Sequence, residues 1–223
     1  ALVTAVSFWH LIWSRYSVRA ILIPFFVALL SFFLLRALRL RRRRYFVLTG
    51  VVLGLSFYTY QLAQLFPILV LLGFVIDLVS RRSFTKIDVC HLLLIFVPAL
   101  LLTLPLLNYI LAHPGVFNQR IRAVYILKDT NGLSEQLKIL LESAWQVVQL
   151  YIVRGDADPL INYQERPLFD PFLTIVFILG LLIALYHWRR PQNLYVLSWL
   201  ALMSAPAILA TRAALSKRSL GAL

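Results

Sequence analysis

A block of consecutive arginines, Arg41 to Arg44, separates two long apolar runs and constrains the fold more than any other feature of the sequence. The apolar run before the block covers 20–38, and the run after it covers 45–79. Runs of roughly 18 or more apolar residues are long enough to cross a ~30 Å hydrocarbon layer as helices. Short connectors rich in Lys and Arg mark the cytoplasmic side of such a protein. The sequence therefore predicts a polytopic membrane protein whose orientation follows from its charges.

The composition excludes the common soluble classes. Hydrophobic residues make up 61% of the chain and the mean hydropathy is +0.83, which leaves too little polar surface to cover a soluble globule. The formal net charge is +13. Half of the basic residues stand in short connectors beside apolar runs, where membrane orientation explains them without nucleic acid as a partner. Cys90 is the single cysteine, so no disulfide forms within the chain.

The run at 45–79 decides the topology. As one helix it would be about 50 Å long at ~1.5 Å per residue, which is too long for one crossing and adequate for two. We therefore expect a hairpin whose turn lies near Gln61 to Gln64, with Pro67 just inside the returning helix. This hairpin brings the arginine block to the same side as the basic cluster at 81–86, as the positive-inside bias requires.

Further crossings are predicted near 89–112, 171–186 and 194–210, and the chain begins within an apolar run at 1–13 without an initiating methionine. The expected fold is all-α, a polytopic transmembrane helical bundle of about seven crossings with the first truncated. Residues 1–112 would form about five crossings, 113–170 an extracytoplasmic loop, and 171–223 the last two crossings and an outer tail. The cytoplasmic connectors would be 39–44, 80–88 and 188–193.

The long loop contains an amphipathic pattern that predicts a helix at about 134–152. Ser134 would cap it, and Glu135 would lie in its positive first turn. Two arrangements stay open at this point. The helix lies along the outer membrane interface, with Trp145 and Tyr151 at headgroup depth, or it packs against the neighbouring crossings.

Polar and basic clusters recur in the segments assigned to the outer side. Arginine forks suit a lipid phosphate, and tyrosine, histidine and amide groups suit sugar hydroxyls. The candidate phosphate-binding residues are Arg15, Arg19, Arg120 and Arg218, and the candidate sugar- or acceptor-binding residues are His10, Tyr58, Tyr60 and Gln61. Simple snorkelling of the arginines and an interfacial aromatic belt are the alternative interpretations.

Other kinds of chemistry have weaker signals. Asp156, Asp158, Glu165 and Asp170 are typical either of a site for a hard divalent cation or of solvated loop carboxylates. The four histidines lack the short spacings of a zinc or iron site, so no metal centre built from them is expected. No GxSxG, GxGxxG, P-loop or HExxH pattern occurs.

Four stretches carry a family resemblance: SFWHLIWSRYSVRAILIPFF at 7–26, RRRRYFVLTGVVLGLSFYTYQLAQLFP at 41–67, FNQR at 117–120 and GDADPLINYQERPLFDP at 155–171. Together they resemble the C-terminal two thirds of a bacterial GT-C membrane glycosyltransferase of the glycosyltransferase family 39 type. That family includes protein O-mannosyltransferases and the aminoarabinose transferase of lipid A. Gln64 departs from the pattern, because relatives often carry arginine there.

The resemblance implies an enzyme that moves a sugar from a polyprenyl-phosphate donor to a protein, lipid or glycan acceptor. The reaction would occur on the outer face of the cytoplasmic membrane. In that family a carboxylate of the first outer loop acts as general base, and this loop is expected to lie outside the present sequence. The fragment alone is therefore expected to be inactive. The competing hypotheses are a transporter or flippase of lipid-linked sugars, which needs a polar path at mid-depth, and a non-catalytic membrane scaffold.

Overall fold

In a computed structural model the protein is described at residues 19–113, 132–155, 162 and 165–209, and this part of the chain is helical with no strand. Short 3-10 helices cover Arg19–Ile21 and Gln61–Leu65. The α-helices are α1 (Leu22–Leu40), α2 (Arg43–Ser56), α3 (Phe66–Arg81), α4 (Lys86–Ala112), α5 (Leu133–Ile152), α6 (Pro171–Tyr186) and α7 (Pro191–Ile208). The all-α prediction is confirmed for the described residues.

Three segments within the described residues are long and apolar enough to cross a membrane: Arg19–Leu40, Gln61–Arg81 and Lys86–Ala112. Helix α6 is equally apolar in character but shorter, with 16 residues, and α2 has only 14. The predicted count of about seven crossings therefore stays a prediction. Its first member, at 1–13, lies outside the described residues.

The predicted hairpin between 45 and 79 is present, but its turn comes earlier than expected. Helix α2 ends at Ser56, the turn covers 57–60, and Gln61 already begins the 3-10 helix that leads into α3. The Ser56 hydroxyl donates to the Leu53 carbonyl and the Thr59 hydroxyl to the Ser56 carbonyl. These two hydrogen bonds help to hold the turn that follows α2.

Two helix starts also differ from the sequence prediction. Helix α4 begins at Lys86 because Thr85 and Asp88 form a capping box, which satisfies backbone groups before the apolar run starts. Helix α5 begins at Leu133 with Gly132 in the N-cap position. The prediction of Ser134 as its cap is wrong, since an extended Gly132 already supplies the turn into the helix.

The closest helix contact joins α2 to α4 through two glycines spaced four residues apart. A Cβ on Gly50 would lie 2.1 Å from the Ile95 carbonyl oxygen, and one on Gly54 would lie 2.9 Å from that of Ala99. Small residues at this spacing let two helix backbones approach closely, which is the usual packing mode where solvent does not drive association. The α2–α4 pair is also the most extensively packed pair of the described helices.

A second set of contacts joins α7 to α1 and α3. The Tyr195 ring lies against Gly73, where an added Cβ would come within 2.9 Å of the ring. Its hydroxyl and that of Ser31 are 2.9 Å apart in a buried hydrogen bond. Helix α1 contacts both α2 and α3, so the packing order is α4, α2, α1, α3, α7, with α6 against α7. The core of this bundle includes the fully buried rings of Phe46, Phe66 and Phe74.

One end of the bundle, here called the basic end, contains the connectors at 39–44 and 80–88. Asp88 is 2% exposed and accepts hydrogen bonds from Arg41 at 3.2 Å and from Arg81 at 3.0 Å. Asp77 pairs with the same two arginines. A buried carboxylate needs such partners, because an unpaired buried charge is strongly destabilising. The network therefore ties α3, α4 and the α1–α2 connector together.

Gly50→Ala tests the α2–α4 contact, with Gly180→Ala as its matched control. A methyl group at 50 meets the Ile95 carbonyl, so we expect the free energy of unfolding to fall by about 2 kcal/mol or more. A methyl group at 180 meets nothing within 4 Å, and the same quantity should change by less than about 1 kcal/mol. Denaturant titration in detergent measures both. Equal effects of the two substitutions would contradict the close contact.

Candidate functional site at the loop end

The other end of the bundle, here called the loop end, is held by a second, smaller core. Its buried members come from the start of the first span, from α5, from the segment after α5 and from the end of α7: Ala20, Val147, Leu150, Tyr151, Leu168 and Ala207. Tyr60 packs against this core and also against the main one. Segments far apart in the sequence therefore meet at the loop end.

Three of the sequence-predicted site residues lie at this end. Arg19 is exposed and opens the 3-10 helix whose next residue, Ala20, is fully buried in the loop-end core. Tyr60 and Gln61 are half-buried at the junction of the α2–α3 turn and the following 3-10 helix. The backbone carbonyl of Tyr60 accepts from the Ala63 amide at 2.9 Å, which fixes the turn. Arg19, Tyr60 and Gln61 thus share one end of the bundle.

Tyr58 lies on a different side of the same turn and makes a structural contact. Its ring is 50% exposed, and its hydroxyl donates to the Leu102 carbonyl of α4 at 2.7 Å. The Tyr58 hydroxyl therefore has a backbone acceptor in α4, and its assignment to sugar binding stays a prediction.

The remaining candidates, His10, Arg15, Arg120 and Arg218, lie outside the described residues. Their assignment to a donor site stays a sequence prediction.

Helix α5 confirms the amphipathic prediction and divides into three sectors. At about 100° per residue, its side chains fall into a packed, an exposed apolar and an exposed polar sector. The packed sector contains Ser143, Val147, Leu150 and Tyr151. The exposed apolar sector contains Leu133, Leu137, Leu141, Trp145 and Val148. The exposed polar sector contains Glu135, Lys138 and Glu142. Helix α5 therefore packs against neighbouring helices through its packed sector, and its exposed apolar sector contacts none of the described helices to a comparable extent.

Specific hydrogen bonds hold the packed sector of α5. The Ser143 hydroxyl donates to the Ile208 carbonyl at the end of α7, at 2.7 Å. Tyr151 is 5% exposed, and its hydroxyl lies 3.4 Å from the Ser204 hydroxyl. The sequence did not predict this role of Ser143, and Tyr151, for which headgroup depth and packing were both open, packs against the neighbouring helices. The signal for Tyr151 was its i+4 spacing from Val147, which puts both on one helix face.

The chain returns along the end of α5. The Leu168 amide donates to the Leu150 carbonyl at 2.9 Å, and the Phe169 amide donates to the Tyr151 carbonyl at 3.1 Å. The rings of Tyr151, Phe169 and Phe177 lie 5.0–6.0 Å apart and link α5 to the start of α6. This return brings 165–169 beside the loop-end core.

An ion pair between Arg154 and Glu165 joins the chain just after α5 to the segment that returns along it. The Arg154 guanidinium donates to both carboxylate oxygens of Glu165, and the Gly155 amide donates to the Glu165 carbonyl at 2.8 Å. A side chain at 155 would collide with the Arg166 carbonyl, 1.9 Å from its Cβ position. The hydrogen bonds from Arg154 lower the pKa of Glu165, and the same pair raises the pKa of Arg154. The backbone at 155 therefore passes too close to that of Arg166 for a side chain to fit.

The candidate divalent-cation ligands have other roles where the structure describes them. Glu165 pairs with Arg154, and Asp170 caps α6 by accepting from the Leu173 amide at 2.9 Å. Asp156 and Asp158 lie outside the described residues. Among the described residues, no group of three or more His, Cys, Asp or Glu side chains could hold a metal ion.

Comparison of the chain with protein-family models, with curated proteins and with solved structures gives no match.

Arg154→Gln tests the closing ion pair, with Lys138→Gln on the exposed sector of α5 as a control of equal charge change. The lowered pKa of Glu165 means that the pair stabilises the turn above the unfolded pKa and is lost as pH falls through the folded pKa. At neutral pH, Arg154→Gln should therefore lower the hydrogen-exchange protection factors of 150–155 and 165–169, whereas Lys138→Gln should not. Acidifying the wild type through the folded pKa of Glu165 should lower its protection factors, taken relative to the intrinsic exchange rate at each pH, to those of Arg154→Gln at the same pH. Unchanged exchange in that variant would contradict the pair.

Proposed function

We propose that the chain belongs to a multi-pass membrane glycosyltransferase that moves a sugar from a polyprenyl-phosphate donor to an acceptor. The reaction would take place at the loop end, on the outer face of the cytoplasmic membrane. The observation that carries the proposal is the position of Arg19, Tyr60 and Gln61 at one end of the bundle, where Tyr60 packs against the core that Ala20 and the amphipathic helix α5 form. The family resemblance of the sequence supports the type of reaction.

Charge and length support the membrane assignment. Three described segments have the length and apolarity of membrane spans, and the densest group of arginines lies at the basic end, away from the loop-end core. The positive-inside bias then assigns the basic end to the cytoplasm and the loop end to the outer side. The exposed apolar sector of α5, with Trp145 62% exposed, would rest on the outer lipid surface beside the ends of the spans.

The proposed chemistry is an inverting displacement at the anomeric carbon of the donor. The acceptor oxygen forms a bond to that carbon as the bond from the carbon to the phosphate oxygen breaks, and polyprenyl phosphate departs. A carboxylate outside this sequence takes the acceptor proton. Arg19, together with Arg15, Arg120 and Arg218, would stabilise the charge that develops on the leaving phosphate. Tyr60 and Gln61 would hold sugar or acceptor hydroxyls.

The transporter hypothesis receives less support from the polar groups inside the bundle. Ser56 is fully buried and donates to the Leu53 carbonyl, and Ser31 pairs with Tyr195. Thr49 donates to the Tyr45 carbonyl. These groups satisfy one another or their own helix, whereas a sugar path needs polar groups directed towards a cavity.

A transfer assay tests the function in the full-length protein, reconstituted with polyprenyl-phosphate sugars. We expect Arg19→Gln to lower kcat/KM at least tenfold, since it removes one cation from the leaving phosphate. The control Arg39→Gln removes an exposed arginine at the basic end and should leave kcat/KM within twofold. No turnover with any donor, or equal losses in both variants, would remove the hypothesis.

Cysteine labelling tests sidedness separately from activity. In a Cys90→Ser background, Gln61→Cys and Glu142→Cys should react with an impermeant maleimide from one side of the membrane. Arg82→Cys should react only from the other side, because the two ends of the bundle lie on opposite faces. Labelling of positions 61 and 82 from the same side would contradict the topology even if transfer occurs.

A further inference from the structure

Two arginines from different helices converge on one tyrosine at the basic end. Tyr45, in the first turn of α2, is 9% exposed. The guanidinium carbon of Arg36 lies 5.2 Å from the centre of its ring, and that of Arg44 lies 4.9 Å from it. Arg44 also donates to the Tyr45 hydroxyl at 3.2 Å. The phenol therefore holds both cations in place.

Among the described residues, Arg36 and Arg44 differ from Arg41 and Arg81 in having no carboxylate partner, and they differ from Arg39 and Arg43 in sharing the Tyr45 ring. Arg41 and Arg81 are neutralised by Asp77 and Asp88. Among the described residues, the salt bridges at this end involve only those four side chains, so Arg36 and Arg44 have no carboxylate there. Two positive charges held about one ring repel each other, and a cation–π contact offsets this only in part.

The depth of Arg36 makes the missing counter-charge more costly. It lies within the apolar span Arg19–Leu40, four residues before the end, or about 6 Å inside at ~1.5 Å per residue. A charged side chain at such a depth is neutralised or reaches for the interface. The Arg36 guanidinium lies between two rings, 5.6 Å from the centre of Phe32 in its own helix and 5.2 Å from that of Tyr45 in α2.

We propose that Arg36, Arg44 and Tyr45 form a binding site for the phosphate group of an anionic membrane lipid in the leaflet at the basic end. Guanidinium forks bind phosphate oxygens bidentately, and the phenol aligns the two forks. The phosphate group of an anionic lipid lies near the membrane surface, within reach of an arginine that, like Arg36, stands one helical turn inside the end of a span. Phe32, 51% exposed, offers an apolar surface to the acyl chain beside that phosphate.

The site requires the membrane location of the proposed function and does not require sugar transfer. It lies at the opposite end of the bundle from Arg19, Tyr60 and Gln61. Loss of transfer activity would therefore leave the lipid site untouched.

Native mass spectrometry of the full-length protein in detergent, with added phosphatidylglycerol or phosphatidylcholine, tests the site. The wild type should retain phosphatidylglycerol at least tenfold more tightly than phosphatidylcholine, and the double variant Arg36→Gln, Arg44→Gln should lose that preference. The matched control Arg39→Gln, Arg43→Gln removes two exposed arginines from the same two helices and should keep affinity within twofold. Equal losses in the two double variants would overturn the site in favour of diffuse charge attraction.

Milder variants keep the test sharp if the double variant unfolds. Tyr45→Phe keeps the ring and removes the hydroxyl, and Arg36→Lys, Arg44→Lys keeps the charges and removes the forks. Each should weaken phosphatidylglycerol binding several-fold with unchanged circular dichroism. Unchanged binding in both would overturn the proposed geometry. A parallel measurement with inorganic phosphate distinguishes a lipid headgroup from free phosphate as the ligand. Binding of free phosphate as tightly as of phosphatidylglycerol would overturn the assignment to a lipid.

Discussion

The buried carboxylate of Asp88 holds the basic end of the bundle together through its ion pairs with Arg41 and Arg81. It lies almost wholly out of solvent, caps α4 through Thr85, and accepts hydrogen bonds from arginines of two different connectors. A carboxylate in such surroundings is stable only while both guanidinium groups stay in place. The bend after α1 and the end of α3 must therefore meet at the start of α4. Both bends use an arginine in the left-handed conformation, Arg41 and Arg82, where glycine is more usual.

Away from the basic end, the helices are held together by two kinds of contact. The α2–α4 pair relies on the absence of side chains at Gly50 and Gly54, while α7 is held by the Tyr195 ring and one buried hydrogen bond. At the loop end, packing passes to α5, whose Ser143 and Tyr151 reach back to α7. The arrangement gives the loop end a small core of its own, and the proposed donor site borders that core, while its Tyr60 also packs against the main one.

Much of the helix layout could be predicted, because apolar length, Pro67 and the arginine block are local signals. The exact helix boundaries could not be predicted, since α2 ends at Ser56 within the apolar run and the turn after it includes hydrogen bonds of the Ser56 and Thr59 hydroxyls. Contacts between helices were harder to predict than helix positions. The spacing of Gly50 and Gly54 identifies a helix face of small residues but does not identify the helix that packs on it. The sequence indicated only an orientation role for Arg41, and its ion pairs with carboxylates of α3 and α4 became visible in the structure. Of the site, the common position of Arg19, Tyr60 and Gln61 followed from the hairpin, whereas the Tyr58 hydroxyl depended on a carbonyl of α4.

The length of α4 has a consequence for any bilayer that holds this protein. Its 27 residues extend about 40 Å at ~1.5 Å per residue, against a hydrocarbon thickness of ~30 Å. The helix fits that thickness by leaning from the normal, by bending at Pro98 or Pro105, or by projecting beyond it. Because the close contacts at Gly50 and Gly54 hold α2 against α4, a lean of α4 is transmitted to the shorter α2. A change in membrane thickness would therefore change the orientation of both helices together.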